Sequence, residues 1–408
     1  MMNKIKTGYK ETKIGLIPED WSIEKLGDKM NCFSGGTPSR SNINYYNGSI
    51  PWIKSGELNK KFIYYTEELI DENAIRDSAT RYIEPDTLLY ALYGATAGIP
   101  AFSKIKATIN QAILAIVTAE DLDSIYLYFW LLHNKKDLLN VYTQGAQPNL
   151  SAQIVKDYTI PLPPLPEQKK IAEILSTWDR AIEKTEKLID AKLKLKKALM
   201  QQLLTGKKKS PHNKDKWKKV SLSNVFEEVI RPAKLEDNQI YTLVTVKRRR
   251  EGIEKRSDLY GKQVLTKSQF YIKANDFLIS KRQIVHGACG VVPTGLDNSV
   301  VSNEYLVLRT RVGFDVNFMR YYSYMPVFQR DCYLASIGVH IEKMLFKPEW
   351  WFKTQHYLPP MAQQQRIASV LSTIDKEISV LNKKLKAIKQ QKKGLMQKLL
   401  TGEVRVKV

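Results

Sequence analysis

Apolar residues near the C-terminus recur at alternating steps of four and three. The series runs from Ile367 to Leu399, and only Lys392 interrupts it. A period of 3.5 residues is typical of a helix whose apolar seam is buried against another helix. The seam positions are Ile367, Leu371, Ile374, Ile378, Leu381, Leu385, Ile388, Leu395 and Leu399. The pattern therefore predicts a long helix that needs a helical partner.

The same pattern occurs 196 residues earlier. LPPLPEQKKIAEILSTWD at 162–179 aligns with LPPMAQQQRIASVLSTID at 358–375, and LMQQLLTG at 199–206 aligns with LMQKLLTG at 395–402. No gap is needed, and roughly half of about 45 positions are identical, which indicates an internal repeat. The first seam comprises Ile171, Leu175, Trp178, Ile182, Ile189, Leu199 and Leu203, with Thr185, Lys192 and Lys196 at its remaining positions.

Each stretch has the boundaries of one long helix. Prolines precede it at 163–164 and at 359–360, and Gly206 and Gly402 stand where a left-handed helix stop would fit. Two such helices can bury each other's seam, and a chain that folds a whole block between them can return antiparallel. We therefore predict an intramolecular antiparallel pair. Packing of the helices on their own domains, or pairing with another protein, is the alternative.

The two blocks that precede the helices have the composition of mixed domains. Runs such as Thr87–Gly94, Ala107–Val117 and Asn303–Thr310 are β-branched or aromatic and predict strands, whereas 125–139 and 316–330 predict helix. We predict an α+β fold, with two mixed α/β domains separated by an antiparallel coiled coil and an internal pseudo-two-fold repeat. The predicted segments are a first domain at 1–163, a first spacer helix at 164–206, a second domain at 207–357, and a second spacer helix with a C-terminal tail at 358–408.

The charge balance points to a polyanionic partner. The 408 residues include 64 Lys and Arg against 42 Asp and Glu, a net charge of +22. Such an excess favours nucleic acid, because cations that neutralise phosphates release condensed counterions. A solvated lysine-rich surface is the alternative. The three cysteines form no CxxC pair and the apolar runs are short, so we expect a cytoplasmic protein outside the membrane.

No catalytic motif accompanies this charge. The sequence has no phosphate-binding GxxxxGK[ST] loop and no GxGxxG after a strand, and its five histidines do not follow metal-ligand spacing. We therefore expect a protein that binds and positions its partners, with no catalytic residues and no metal site of its own.

Several loops carry donors suited to DNA. Arginine suits guanine, amide side chains suit adenine, and lysine mostly holds phosphate. For each residue the alternative is a solvated loop charge or a turn amide. The candidates are Arg40, Lys54, Tyr90, Tyr93, Thr96, Gln147 and Asn149 in the first block, and Lys247, Arg248, Arg249, Arg250, Lys281, Arg282, Gln283 and His286 in the second.

These motifs resemble a known family. PLPPLPEQKKIAEIL at 161–175, the LSTWD and LSTID pair, the two LMQ-LLTG ends and IGLIPEDW at 14–21 are similar to the specificity subunits of type I restriction–modification systems. The resemblance implies two target-recognition domains, each reading one half of a bipartite, asymmetric site on double-stranded DNA. It also implies a coiled coil that sets the spacer between the half-sites and docks the other subunits. A coiled-coil scaffold without sequence-specific DNA reading remains the alternative.

The resemblance further implies the partners and their cofactors. We expect two modification subunits, which carry S-adenosylmethionine and the adenine N6-methyltransferase site, and restriction subunits, which use ATP and Mg. No cofactor is expected in this chain. One departure is AQQ at 362–364 where the first repeat has PEQ at 166–168, so the second docking surface is expected to differ from the first.

Lengthening both helices tests whether they set the spacing of the site. Four residues added to each helix should lengthen it by about 6 Å, which is roughly two base pairs at about 3.4 Å each. Methylation mapping of this variant should find the gap between the half-sites enlarged by that amount. An unchanged gap would contradict the idea that the helices act as a ruler.

Overall fold

The computed structural model describes residues 7–142, 150–206 and 217–408. The chain divides into two compact units: unit 1 is Met1–Glu186 with Lys383–Val408, and unit 2 is Lys187–Asn382. The boundaries after Glu186 and after Asn382 are 196 residues apart, which is the offset of the sequence repeat. Each unit therefore holds one block, the first part of the long helix that follows it, and the last part of the other long helix.

Unit 1 is built around two sheets. Its strands are β1 (Tyr9–Thr12), β2 (Gly15–Pro18), β3 (Ser22–Lys25), β4 (Met30–Ser34), β5 (Ile50–Ile53), β6 (Phe62–Ile63), β7 (Glu68–Ile70), β8 (Arg81–Ile83), β9 (Leu88–Ala91), β10 (Pro100–Ser103), β11 (Ala107–Ile109), β12 (Ile113–Thr118) and β13 (Thr159–Leu162). Its helices are α1 (Glu72–Arg76), α2 (Ser124–His133), α3 (Lys135–Tyr142) and α4 (Ala152–Asp157), and the long helix α5 (Leu165–Leu203) begins here. The sheets have the orders β4-β12-β9-β10-β6 and β7-β5-β11-β8, and β5 and β11 are parallel.

Unit 2 repeats this plan. Its strands are β14 (Lys218–Ser221), β15 (Phe226–Glu228), β16 (Pro232–Ala233), β17 (Ile240–Val246), β18 (Ile253–Tyr260), β19 (Gln269–Tyr271), β20 (Phe277–Ser280), β21 (Cys289–Val291), β22 (Val300–Ser302), β23 (Tyr305–Thr310), β24 (Ser336–Ile337), β25 (Leu345–Phe346) and β26 (Gln355–Leu358). Its helices are α6 (Leu222–Val225), α7 (Val316–Tyr322), α8 (Pro326–Leu334) and α9 (Pro348–Trp351), and the long helix α10 (Met361–Leu400) begins here. The orders are β15-β23-β20-β21 and β16-β19-β22-β17-β18, with β17 and β22 as the parallel pair. They follow those of unit 1 except at the edges, where β6 has no counterpart and β16 is added.

These elements confirm the α+β class and the internal repeat. The single helix predicted at the end of each block is wrong in detail, because each is two helices. Asn134 separates α2 from α3, and its side chain donates to the carbonyl of Trp130. Pro326 starts α8, since a proline cannot continue the turn before it. No helix among the described residues is long and apolar enough to cross a membrane.

The central sheet of each unit is covered on both faces. In β9, Leu88 and Tyr90 point into the core that contains the helices, whereas Leu89 and Ala91 point into the core between the two sheets. Unit 2 follows the same alternation along β20. Side chains of a strand alternate between faces, so a strand buried on both faces must be apolar at nearly every position. This explains why Leu88–Ala91 is a continuous apolar run.

In unit 1 the two long helices run antiparallel. Asp179 of α5 pairs with Lys392 of α10, and Glu186 pairs with Lys389 at 2.6 Å. From the first pair to the second, the residue number rises along α5 and falls along α10, so the two helices run in opposite directions. The apolar seam of this segment enters the main core of unit 1. The buried residues it contributes are Ile171, Ala172, Leu175, Met396, Leu399 and Leu400.

The helix segments in unit 2 are antiparallel as well. Lys192 lies 2.6 Å from Glu377, and Lys196 lies 2.6 Å from Asp375. The predicted antiparallel pairing is therefore confirmed within each unit. Ile367, Ala368 and Leu371 are buried in the core of this unit, with Leu199 and Leu203 packed against them.

The lysines that interrupt the seam are ion-paired across it. Lys392 pairs with Asp179, and Lys196 pairs with Asp375, so both partners of the first bridge recur 196 residues away in the second. Lys61 adds a contact to Asp179 at 3.0 Å, and its burial lowers the pKa of its ammonium group despite that carboxylate. A charge at a seam position is tolerated when a matched partner specifies the register.

A fully buried glutamine fixes each domain on its long helix. In unit 1, Gln168 donates to the Pro163 carbonyl at 2.8 Å and accepts from the Asp123 backbone N–H at 2.9 Å, where Asp123 caps the start of α2. In unit 2, Gln364 makes the same bonds to Pro359 and Asp315, the residue that caps α7. The glutamine thus joins the start of the long helix to the start of the domain helix.

Arg405 of the C-terminal tail is ion-paired with a buried carboxylate of α5. Glu167, 2% exposed, accepts hydrogen bonds from Trp21 Nε1 and from Arg405, which also pairs with Asp20. The Arg405 contact also holds the pKa of Asp20 below its usual value. The equivalent of Glu167 in the second repeat is the neutral Gln363. A neutral side chain at this position needs no cation, whereas a buried carboxylate does.

Substitution of Arg405 tests whether the buried Glu167 carboxylate needs its cation. Arg405→Met leaves Glu167 without its cation and should lower the free energy of unfolding by about 2 kcal/mol, less than for a fully buried pair because Arg405 is partly exposed. Glu167→Gln in the same chain reproduces the second repeat and should recover most of the loss. Urea unfolding measures both, with the exposed Arg366→Met as control. A double variant no more stable than Arg405→Met would refute the pairing argument.

Candidate nucleic-acid interface

Each unit brings together two loops that leave equivalent strands. In unit 1, the loop after β5 (54–58) meets the loop after β9 (92–98), and the Thr96 hydroxyl donates to the Ser55 carbonyl at 2.7 Å. In unit 2, the loop after β17 (247–252) meets the loop after β20 (281–287), and the Arg250 N–H donates to the Gly287 carbonyl at 2.9 Å. Both pairs contain residues predicted to read DNA, so the fold places distant candidates side by side.

In unit 1 the two predicted cations share one carboxylate. Arg40 Nη1 lies 2.7 Å from Glu68 Oε2, and Lys54 Nζ lies 2.7 Å from Glu68 Oε1. The guanidinium of Arg40 also lies 4.2 Å from the centre of the Tyr46 ring. The hydrogen bond from Arg40, followed by that from Lys54, holds the pKa of Glu68 below its usual value. Glu67 Oε2 also lies 3.3 Å from Lys54 Nζ, so two carboxylates balance the two cations and hold them in place.

The remaining candidates of unit 1 divide into three groups. Tyr90 is fully buried, so its prediction as a DNA contact is wrong: β9 is a central strand with both faces covered. Thr96 is 8% exposed and shapes the loop through its bond to Ser55, whereas Tyr93 is half-buried at the edge of the core. Gln147 and Asn149 lie outside the described residues.

In unit 2 the basic run forms one tight turn. Lys247 pairs with Glu254 at 2.7 Å, and Arg248 pairs with Glu342 at 3.0 Å. Arg250 points inward, where its Nε donates to the Ser323 carbonyl at 2.7 Å. That side chain is partly buried and supports the turn, and its contact with DNA stays a prediction.

The second loop of unit 2 lies beside this turn. Lys281 Nζ donates to the Asn303 carbonyl at 3.0 Å, and the exposed Arg282 pairs with Glu304. His286 Nε2 lies 3.2 Å from Glu342, so Glu342 contacts one side chain from each loop, Arg248 and His286. Gln283 is half-buried.

The two units therefore offer different chemistry at equivalent places. The two loops of unit 1 contain one cation, Lys54, together with Gly, Ala and Thr residues, whereas the two loops of unit 2 contain four arginines, two lysines and a histidine. Small residues let a ligand approach the backbone, and guanidinium groups supply forked donors. The strand framework is shared, so this difference lies in the loops.

Sequence reasoning missed the carboxylates that hold these cations. Glu68 and Glu342 are distant in sequence from most of their partners, and neither occurs in a motif. A carboxylate beside an arginine is visible only when the chain is folded. Arg40, Arg248 and Arg282 are exposed but ion-paired, whereas Arg249 is exposed at the tip of the turn and has no ion pair with any residue that the structure describes.

Comparison with known proteins assigns both halves of the chain to one family. The description "Type I restriction modification DNA specificity domain" matches residues 18–193 and again residues 214–390. The two matches begin 196 residues apart, which is the offset of the repeat.

Similar proteins and structures are named as specificity (S) subunits of type I restriction systems. The chain is 26% identical to the type I restriction enzyme MjaVIII specificity subunit of Methanocaldococcus jannaschii, over 98% of this chain and 96% of that protein. It is 34% identical to the MjaIX specificity subunit of the same organism, over 45% of this chain and 43% of that protein. The fold matches the crystal structure of the type I restriction–modification S subunit from M. genitalium with a TM-score of 0.60, at 12% identity and with 98% of each chain covered.

A glycine at the contact between the loops of unit 2 can be tested directly. Gly287 has φ +78°, and a Cβ there would lie 2.7 Å from Arg250 Nη1 and 3.4 Å from Arg249 Cα. Gly287→Ala should therefore lower the free energy of unfolding by about 1–2 kcal/mol. Gly295→Ala is the matched control, because Gly295 has open space around it and no positive φ. Urea unfolding of both variants measures the difference, and equal stability would refute the close approach.

Proposed function

Since the chain belongs to the type I restriction–modification DNA specificity family, we propose that each of its units reads one half of a divided sequence in double-stranded DNA. Its relatives are named specificity subunits of type I restriction enzymes, and we assign the same role to this chain, with catalysis assigned to the other subunits. The recognition sequence is expected to be asymmetric, because the equivalent loops of the two units differ in charge and size. This contrast between equivalent loops is the observation that carries the proposal.

We assign the segments of the chain on the same premise. Residues 1–163 and 207–357 are the two target-recognition domains, and residues 164–206 and 358–408 provide the spacer helices and the C-terminal tail. The DNA contacts are assigned to the exposed polar residues of the paired loops. The seam residues of the two helices hold the pair together, and the helices set the distance between the half-sites.

The partners follow from the same family. One solved relative, with a TM-score of 0.55 and 14% identity, is described in connection with complex assembly of a type I system. For this chain we propose two modification subunits, which supply S-adenosylmethionine and the adenine N6-methyltransferase site, and restriction subunits, which use ATP and Mg. The chain itself supplies sequence recognition and a docking surface.

A protein scaffold that does not read DNA is the rival function. Both functions accommodate coiled-coil helices and a net charge of +22. They differ in salt dependence, because a protein that neutralises several phosphates loses affinity steeply as salt rises. Binding of the assembled complex to duplex DNA at several salt concentrations therefore distinguishes them.

Methylome sequencing tests the proposal as a whole. A host that carries the chain with its modification subunit should acquire methylated adenine at one two-part motif with unlike halves and a fixed gap. The chain alone, incubated with DNA and S-adenosylmethionine, should methylate nothing, and the modification subunit alone should give no such motif. Methylation without a motif, or a motif that persists when the chain is omitted, would refute the proposal.

A further inference from the structure

The basic turn of unit 2 contains two consecutive residues in a strained conformation. Arg249 has φ +56° and Arg250 has φ +60°, in the left-handed region that residues other than glycine rarely enter. Each such residue costs free energy, and strained residues of this kind cluster at functional sites. A glycine or asparagine would be the ordinary choice at either position, so the arginine side chains need a separate explanation.

The rest of the molecule holds this turn in place. The Lys247 N–H donates to the Gly252 carbonyl at 2.9 Å, and the Arg250 N–H donates to Gly287. The Tyr324 hydroxyl donates to the Arg250 carbonyl at 2.7 Å, while Arg250 Nε donates to Ser323. The strained backbone is thus fixed from several sides before any ligand arrives.

Three of the four cations in the run have partners within the protein. Lys247 pairs with Glu254, Arg248 with Glu342, and Arg250 with the Ser323 carbonyl. Arg249 is exposed, and within the described part of the chain no hydrogen bond or ion pair engages its guanidinium group. The turn therefore presents a single uncommitted guanidinium on a rigid base.

We infer that Arg249 is a specificity-determining residue that reads a guanine in the half-site of unit 2. An arginine can donate two hydrogen bonds to O6 and N7 of guanine, which is the most common specific contact in the major groove. A fixed backbone suits this role, because two bonds to one base edge require a defined direction. A phosphate contact would not need such a turn, since a lysine on a flexible loop can satisfy it. The inference rests on the proposed function.

Replacement by glycine gives a clean test. Arg249→Gly removes the guanidinium group, and glycine adopts a positive φ without strain, so the fold should be retained or slightly stabilised. In the assembled complex, methylome sequencing should show that one G·C position in one half of the motif is relaxed, while the other half and the gap are unchanged. Discrimination at that position should fall by about 5- to 150-fold.

Arg249→Lys separates base reading from charge. It keeps the cation but loses the fork of donors, so the same position should relax while most DNA affinity remains. Arg256→Gln is the matched control, since Arg256 is an exposed arginine on β18 and its loss changes the net charge equally. That variant should leave the motif unaltered.

Several results would overturn the inference. An unchanged motif with Arg249→Gly would show that Arg249 reads no base, although the two-part wild-type motif would still support the proposed function. Uniform weakening across all sequences, with wild-type behaviour in Arg249→Lys and a salt slope reduced by about 1, would assign Arg249 to a phosphate. A wild-type complex without any two-part motif would instead refute the proposed function itself.

Discussion

The structure depends on the pairing of two amphipathic helices that cannot bury their seams alone. Within each unit, the first part of one helix runs antiparallel to the last part of the other, and the apolar residues of both enter the core of the domain. The bridges Asp179–Lys392 and Asp375–Lys196 occupy equivalent places in this seam. A slip of one heptad would move each lysine away from its carboxylate, so the charges specify one register where apolar residues alone would tolerate several.

The same helices position the domains. Gln168 and Gln364 are fully buried, and each joins the first turn of a long helix to the residue that caps a domain helix. A buried amide that lost these partners would carry the full penalty of desolvation. The orientation of the loops within each unit is therefore tied to the helix that leaves it.

The two units share strands that are buried on both faces and differ in the loops that follow them. Leu88–Ala91 and Phe277–Ser280 are buried on both faces, so their side chains are constrained by two cores. The loops that follow these strands have no such constraint, and their composition changes from LYGATAG at 92–98 to KRQIVHG at 281–287. A shared framework with unlike loops is what a chain needs if it is to read two different sequences. The strain at Arg249 and Arg250 lies in the loop after β17, which contacts the loop after β20 through the hydrogen bond from Arg250 N–H to the Gly287 carbonyl.

The repeat, the length and direction of the helices and the α+β class were predictable from periodicity and from an offset that needs no gap. The charged loops were also visible in the sequence. The availability of the loop residues became apparent from the folded chain: Tyr90 is in a core, Arg250 supports a turn, and Glu68 and Glu342 hold cations whose partners the sequence did not indicate. The reason is physical. Periodicity reports which face of an element is buried, whereas the partner of a loop charge comes from a segment that only folding brings near.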